Sequence, residues 1–359
     1  MHSGNQVGQS SPAIPGFFPD PSVCLHGDRL LLVNSSFEYF PGIPLHESPD
    51  GRGWALIGNV LNRREQVDLR AAPSNGGIYA ATIRERAGQL FVITTDIDSV
   101  RAGQLLFTAV DPAGPWSTPM RVAGAVGIDP DLFWDADGTC RVSWKRIFDD
   151  QPPAIVSAPI DPATGQLLGP AQLLWQGVPG LASAEGPHLY RRADYYYCLL
   201  AQGGTERGHC VVVARARSLD GPWESCPDNP ILTHRSTDLP VQNVGHADLF
   251  ERPDGSWGAA YLGVRPRGMV PKYHVNGRET FLADVEWVDD WPRLTTGSAA
   301  DDTPAAYPAT NFFDDFPGRL LHPRWISPGG TGVDTVSCDS DPGIELRPTG
   351  DESSARPGL

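Results

Sequence analysis

Short runs of apolar residues, each ended by a polar turn, follow one another along most of the chain. Examples are QLFVITTD, CRVSWKR, YYYCLLAQ, CVVVARAR and SWGAAYLG. Runs of this length, rich in β-branched and aromatic residues and bounded by turns such as RAGQ, DADG and RPDG, are typical of β-strands. The sequence shows no helical stripe longer than two turns. The pattern predicts an all-β protein.

Five longer units repeat the strand–turn–strand pattern at a nearly constant interval. Their starts are separated by 56, 53, 56 and 60 residues and lie at Asp20, Gly76, Asp129, Glu185 and Gly245. Each unit opens on a small or polar residue, continues as a strand, turns, and returns as a second strand. Five units of about 55 residues, each long enough for roughly four strands, predict a five-bladed β-propeller rather than a sandwich.

The net charge and the composition limit the kinds of molecule that this protein is expected to bind. The 359 residues include 43 acidic and 28 basic side chains, for a net charge of −15. Because an acidic surface repels phosphate backbones, we expect no nucleic acid partner, whereas a neutral sugar is compatible with this charge. No apolar run approaches the roughly 18 residues of a membrane-spanning helix, and the first residues do not resemble a secretory signal. We therefore expect a cytoplasmic protein that contacts no membrane.

The six cysteines form no C-x-x-C pair, and several lie within predicted strands. Spacing of this kind gives no support to a zinc site. We expect small, buried, reduced thiols.

Three acids open three of the five units, in the sequences PDPS, IDPD and AEGPH. Because the first strand of each propeller blade lines the central axis, Asp20, Asp129 and Glu185 are expected to face one another at one end of the channel. His246 would lie beside them, with Tyr79 nearby. A single acid before proline or glycine is most simply a turn cap. Three in register are harder to explain as caps, because crowded carboxylates raise one another's pKa values.

Carboxyl groups with separated pKa values are what glycoside hydrolysis requires. A protonated carboxyl delivers a proton to the leaving oxygen, while an ionised one activates water or attacks the sugar. Metal binding by the three acids and a histidine is the competing interpretation, although the sequence contains no compact ligand loop. The residues alone leave both open.

Nine stretches, in family order from about residue 12 to about residue 325, resemble glycoside hydrolase family 43 in its β-xylosidase and α-L-arabinofuranosidase branch. Any one of them is a weak match, but the set is specific. They are GFFPDPSVC, VNSSFEYFPGIPLHESPD, NGGIYAATIR, GIDPDLFWDADG, AEGPHLY, NPILTHR, VGHADLF, GRETFLADVEWVDDWP and FFDDFPGRLLHPRW.

The resemblance implies an exo-acting, inverting hydrolase that releases xylose or arabinose from oligosaccharides. It implies that Asp20 is the general base, that Glu185 is the general acid, and that Asp129 tunes the pKa of the acid and orients it. It also implies substrate contacts for four further residues: Phe37, Tyr79, His246 and Arg278. No cofactor is required, although a calcium or sodium ion near His246 is compatible with the resemblance. A propeller used only to bind carbohydrate or as a scaffold is the alternative function.

Four segments are expected along the chain. Residues 1–11 form a flexible tail, residues 12–294 the propeller, residues 295–311 a linker, and residues 312–359 the beginning of a β-sandwich that is incomplete in this sequence. Two positions depart from the family pattern. Ala81 stands where relatives usually have proline, and Gln202 where glutamate is common, which bears on the shape of the pocket.

Overall fold

The computed structural model describes residues 11–147, 152–268, 272–296, 314–316 and 321–330, together with the strand pairs at 336–337 and 345–346. In chain order the strands are β1 (Ser22–His26), β2 (Arg29–Val33), β3 (Tyr39–Phe40), β4 (Gly42–Ser48), β5 (Ala55–Leu61), β6 (Ile78–Arg86), β7 (Gln89–Asp96), β8 (Gln104–Ala109), β9 (Met120–Val122), β10 (Gly127–Trp134), β11 (Cys140–Arg146), β12 (Ala154–Asp161), β13 (Gln166–Leu167), β14 (Gln172–Leu173), β15 (Glu185–Arg192), β16 (Tyr195–Gln202), β17 (Cys210–Ala216), β18 (Glu224–Ser225), β19 (Gln242–Glu251), β20 (Trp257–Val264), β21 (Glu279–Val288), β22 (Trp291–Thr295), β23 (Ser327–Pro328), β24 (Val336–Ser337) and β25 (Glu345–Leu346). A short 3₁₀ helix, Ile97–Ala102, follows β7.

Five antiparallel sheets form the blades of a β-propeller. Blade I has the order β1-β2-β4-β5, blade II β6-β7-β8-β9, blade III β10-β11-β12-β13 with β14 also paired to β12, blade IV β15-β16-β17-β18, and blade V β19-β20-β21-β22. The predicted five-bladed fold is confirmed, and the runs QLFVITTD, CRVSWKR and YYYCLLAQ coincide with β7, β11 and β16. No helix in the described ranges has the length and hydrophobicity needed to cross a membrane.

Each blade is covered on both faces by its neighbours, which explains why its strands are apolar at consecutive positions. Leu31 packs into the cluster between blades I and II. Leu30 and Leu32, on the opposite face of β2, pack between blades V and I. Further clusters fill the interfaces II–III, III–IV and IV–V. Because successive side chains of a strand point to opposite faces, a sheet buried on both sides needs an unbroken apolar run.

The centre of the propeller is polar. One residue from each innermost strand contributes to a group that we call the axial ring: Ser22, Arg84, Asp131, Tyr190 and Asp248. Arg84 lies 2.8 Å from a carboxylate oxygen of Asp131 and 2.8 Å from one of Asp248, and both acids are fully buried. The Tyr190 hydroxyl donates a hydrogen bond to Asp248. Arg84 thus pairs with two acids that would be costly to bury without a cation.

The axial ring also joins each blade to the next. Arg84 bridges blades II and III through Asp131. The other four junctions are hydrogen bonds from main-chain N–H groups to side-chain oxygens: Ile83 to Ser22 (3.1 Å), Leu189 to Asp131 (2.9 Å), Leu249 to Tyr190 (2.8 Å) and Val23 to Asp248 (3.0 Å). The five innermost strands are therefore held in a closed circle by side chains as well as by apolar packing.

Two other predictions have different outcomes. Cys24, Cys140, Cys198, Cys210 and Cys226 are free, buried thiols, as expected, and Cys338 lies outside the described residues. The predicted tail 1–11 and linker 295–311 fall almost entirely outside the described residues, as does most of 312–359. From that last region, β23 pairs with β3 beside blade I. The beginning of a β-sandwich stays a prediction.

Candidate active site

A cleft of about 400 Å³ lies over the end of the axis where the innermost strands begin. All seven side chains singled out in the sequence line it: Asp20, Phe37, Tyr79, Asp129, Glu185, His246 and Arg278. A larger groove of about 830 Å³ shares Phe17, Asn75 and Gly277 with this cleft but contains none of the three acids. The smaller cleft is therefore the candidate active site.

The backbone is bent where the inner strands enter the cleft. Asp20, Asp129 and His246 have positive φ angles of 53°, 56° and 47°. The pairing of blade III shifts register between Ile128 and Asp131, and the inner strands of blades IV and V carry similar irregularities. Such conformations are strained for residues other than glycine and persist where the surrounding structure enforces them. Here they hold the acids and the histidine over the axis.

Residues two positions further along the same strands lie one layer deeper. Ser22 lies two positions after Asp20, and Asp131 lies two positions after Asp129. The first member of each pair lines the cleft and the second belongs to the axial ring. The sequence IDPD therefore contains one acid for the site and one for the structure beneath it.

Asp20 is buried and surrounded by donors. Ser35 donates a hydrogen bond to Oδ2 at 2.5 Å, and Arg278 Nη1 lies 3.2 Å from Oδ1. His246 Nδ1 lies 3.5 Å from the same oxygen. Burial alone would raise the pKa of Asp20, but Arg278, His246 and the Ser35 hydroxyl outweigh it and place the pKa below its ordinary value. Asp20 is thus ionised at neutral pH, as a general base must be.

Asp129 has the opposite electrostatic setting. Burial, together with the negative charges of Glu185 and Asp20, raises its pKa to about 6, although His246 and Lys145 act against this. The main-chain N–H of Gly186, the residue after Glu185, donates a hydrogen bond to Asp129 Oδ2 at 3.2 Å. Asp129 is therefore tied directly to the strand that carries the predicted acid.

Glu185 is held from behind by Lys145. The ammonium nitrogen lies 2.8 Å from Glu185 Oε2, and the two side chains are only 14% and 19% exposed. Lys145 extends from β11 of blade III and contacts an acid of blade IV. Because both side chains are largely shielded from water, their opposite charges attract each other more strongly than they would in open solvent.

An aromatic wall flanks the acids. The ring of Phe37 lies 5.2 Å from that of Tyr79 and 5.5 Å from that of Phe17, and the Arg278 guanidinium lies 5.4 Å over Phe37. The Tyr79 hydroxyl donates to the main-chain oxygen of Asn75 at 3.1 Å. Apolar ring faces beside charged hydrogen-bonding groups suit a sugar, which has apolar faces and hydroxyl edges.

Comparison with known proteins agrees with this geometry. Residues 9–292 match the family model described as Glycosyl hydrolases family 43. The chain belongs to this family. It is 38% identical to a xylosidase/arabinosidase of Butyrivibrio fibrisolvens over 97% of this chain and 71% of that relative. It is 40% identical to the non-reducing end α-L-arabinofuranosidase BoGH43B of Bacteroides ovatus, over 82% of this chain and 54% of the relative.

Solved structures give the same result for the fold. The family 43 protein of a Bacteroides ovatus xyloglucan locus superposes with a TM-score of 0.82 at 37% identity, covering 94% of this chain and 68% of the other. A family 43 protein from a capybara gut metagenome gives a TM-score of 0.85 at 29% identity, covering 96% and 68%. The chain thus spans between about half and seven tenths of the relatives named here.

Sequence reasoning missed several side chains of this family 43 site, among them Ser35, Lys145 and His209. Lys145 had a signal, because it is one of only two lysines beside 26 arginines. His209 lines the cleft and places Nδ1 3.0 Å from the main-chain oxygen of Asn243. Burial lowers the pKa of His209 to about 4, so that the ring is neutral and Nδ1 is its donor. A lone histidine in ERGHC gave no indication of this position.

The two departures from the family pattern lie outside the cleft. Gln202 is buried and braces the segment that leads to β15: its Oε1 accepts from Val178 N at 2.7 Å, and its amide donates to Leu181 O at 3.1 Å. Ala81 is buried in β6 beside the small axial cavity. The expected influence of these two positions on the pocket is therefore indirect.

The ion that the resemblance allowed near His246 would need several oxygen ligands. Among the described residues, no group of three or more His, Cys, Asp or Glu side chains is arranged to hold a metal. The ion near His246 stays a prediction, and the reaction proposed below uses no metal.

Asp129 is expected to cost stability at neutral pH. Well below pH 3.8, the ordinary pKa of an aspartate, the carboxyl is protonated in both the folded and the unfolded chain, and no penalty arises. Above its folded pKa of about 6, folding must accommodate a charge that the site disfavours. Asp129→Asn, which keeps an acceptor for Gly186, should therefore be more stable than the wild type by about 1–3 kcal/mol at pH 8.

The measurement is urea unfolding at pH 4 and pH 8. The gain should shrink to about 0.5 kcal/mol or less at pH 4. Asp254→Asn, at an exposed turn carboxylate, is the control and should show no gain at either pH. Equal stability of Asp129→Asn and wild type at pH 8 would contradict the raised pKa.

Proposed function

We propose that this family 43 protein is an exo-acting, inverting glycoside hydrolase that releases single xylose or arabinose units from xylo-oligosaccharides or arabinoxylan fragments. The observation that carries the proposal is the convergence of Asp20, Asp129 and Glu185 in one cleft, with pKa values of Asp20 and Asp129 shifted in opposite directions. A carboxylate held ionised as a base, together with a second carboxyl that can act as an acid, is the arrangement that glycoside hydrolysis uses.

In the proposed reaction, Asp20 takes a proton from a water molecule that attacks the anomeric carbon. Arg278 contacts Oδ1 of this carboxylate and Ser35 contacts Oδ2, so the base is fixed at both oxygens. Glu185 gives its proton to the departing glycosidic oxygen. Its Oε2 contacts Lys145, which leaves Oε1 to carry that proton. Asp129 holds the strand of Glu185 through Gly186 and keeps negative charge beside the acid.

The substrate class follows from the wall of the site and from the relatives. Phe17, Phe37 and Tyr79 offer apolar surface to one face of a small sugar ring, while Arg278 can bind its hydroxyls. The Butyrivibrio fibrisolvens relative is described as a xylosidase/arabinosidase and the Bacteroides ovatus relative as an α-L-arabinofuranosidase. A neutral oligosaccharide also agrees with the net charge of −15.

The test is hydrolysis of p-nitrophenyl β-xyloside, p-nitrophenyl α-L-arabinofuranoside and short xylo-oligosaccharides. We expect release of monosaccharide from the non-reducing end. Early proton NMR spectra should show the anomer opposite to that of the substrate. Release of the same anomer would contradict inversion. Absence of release from every substrate would favour the alternative, a propeller that only binds carbohydrate.

A further inference from the structure

Lys145 is unusual in this chain for its residue type alone. The sequence contains 26 arginines and only two lysines, Lys145 and Lys272. Lys272 is exposed, whereas the Lys145 side chain is 14% exposed and contacts Glu185. At almost every other position where this protein needs a cation, it has arginine.

The position explains why a lysine is suitable. Lys145 is paired with Ile128 across the β10–β11 ladder, next to the irregularity that carries Asp129. From there it reaches into blade IV and meets Glu185 at 2.8 Å. An arginine side chain is longer and ends in a planar fork, so at this distance it would push past the carboxylate towards the cleft. A compact ammonium ends at the acid.

We propose that Lys145 is a positioning residue that sets the orientation of Glu185, an inference that rests on the proposed function of this site. Lys145 does not line the cleft, and therefore acts through Glu185 rather than on the sugar. By holding Oε2 from outside, it turns Oε1 towards the leaving oxygen. Asp129 holds the main chain of the same segment through Gly186, so the acid is fixed at its backbone and at its tip.

Lys145→Met should lower kcat on xylobiose by about 10- to 100-fold, because a misplaced acid transfers its proton poorly. KM should change by less than about threefold, because the sugar contacts stay. The loss should be smaller on p-nitrophenyl β-xyloside, whose leaving group needs little protonation. Lys145→Arg keeps the cation but not the compact geometry, and should restore only part of kcat.

The matched control is Lys272→Met, which removes the other lysine from the surface and should behave as wild type. A crystal structure of the Lys145→Met protein supplies a readout that needs no activity: the Glu185 carboxyl should leave its wild-type orientation. Wild-type kcat on xylobiose together with a wild-type orientation of Glu185 in Lys145→Met would overturn the proposal. If the wild type hydrolyses no glycoside, the proposed function fails. The crystal structure then decides alone: displacement of Glu185 upholds the positioning role, and an unmoved Glu185 overturns it.

Discussion

Replacing Glu185 with alanine is expected to lower kcat/KM on xylobiose by about 10²- to 10⁴-fold, while activity on an aryl xyloside with a good leaving group falls far less. The reason is that a general acid matters in proportion to the basicity of the leaving oxygen. Asp20→Ala should lose activity by a similar factor on both substrates, because the base acts on water and not on the leaving group. The measurement is kcat/KM for both variants on both substrates.

The contrast between the two variants is the informative result. Glu286→Ala, on the exposed side of β21, removes a carboxylate far from the cleft and serves as the control. If Glu185→Ala and Asp20→Ala showed the same dependence on the leaving group, the assignment of acid and base would be wrong. If both kept wild-type rates, the cleft would not be the active site.

Arg84→Met is expected to destabilise the protein by about 3–5 kcal/mol, the largest effect on stability that the structure suggests for one side chain. The substitution removes the guanidinium that contacts both Asp131 and Asp248, which are fully buried. It also removes the bridge between blades II and III. At present Arg84 overcomes the effect of burial on Asp248 and keeps its pKa well below the ordinary value. The measurement is the free energy of unfolding from urea titration at pH 7.

The control is Arg29→Met, which breaks an exposed ion pair with Glu47 and should cost less than about 1 kcal/mol. If Arg84→Met does not fold, Tyr190→Phe tests the same ring. It deletes the hydroxyl that accepts from Leu249 and donates to Asp248, and should cost about 1–3 kcal/mol. A loss no larger than that of Arg29→Met for either variant would show that the axial ring does not hold the blades together.

The sequence was most informative where structure depends on neighbours in the chain. The apolar runs predicted β7, β11 and β16 because the hydrophobic pattern of a strand involves only consecutive residues. The repeat of about 55 residues predicted five blades, and the acids at the unit starts predicted a shared cleft. The fold and the site residues were accessible in this way because a propeller places equivalent positions of each repeat at the same end of one axis.

The sequence motifs gave no indication of the axial ring beneath the site. In IDPD the sequence indicates a role in the site for the first acid, Asp129, and gives no indication of a role for the second, Asp131. In GHADL the resemblance assigns a role to His246 and none to Asp248. Both missed acids belong to the axial ring, whose cation, Arg84, appeared in the sequence only as the last letter of NGGIYAATIR. Nothing local marks an aspartate as buried and paired.

The chain's own pattern determined the β-propeller, the number of blades and the three acids, since these follow from periodicity and repetition. Only the tertiary structure decided which charges meet. Arg278 reaches Asp20 across 258 positions of the sequence, and Lys145 reaches Glu185 from another blade. A carboxyl's pKa depends on burial and on charges within a few ångströms, whatever their separation along the chain. For that reason the low pKa of Asp20, the raised pKa of Asp129 and the support of Glu185 became visible only in the folded protein.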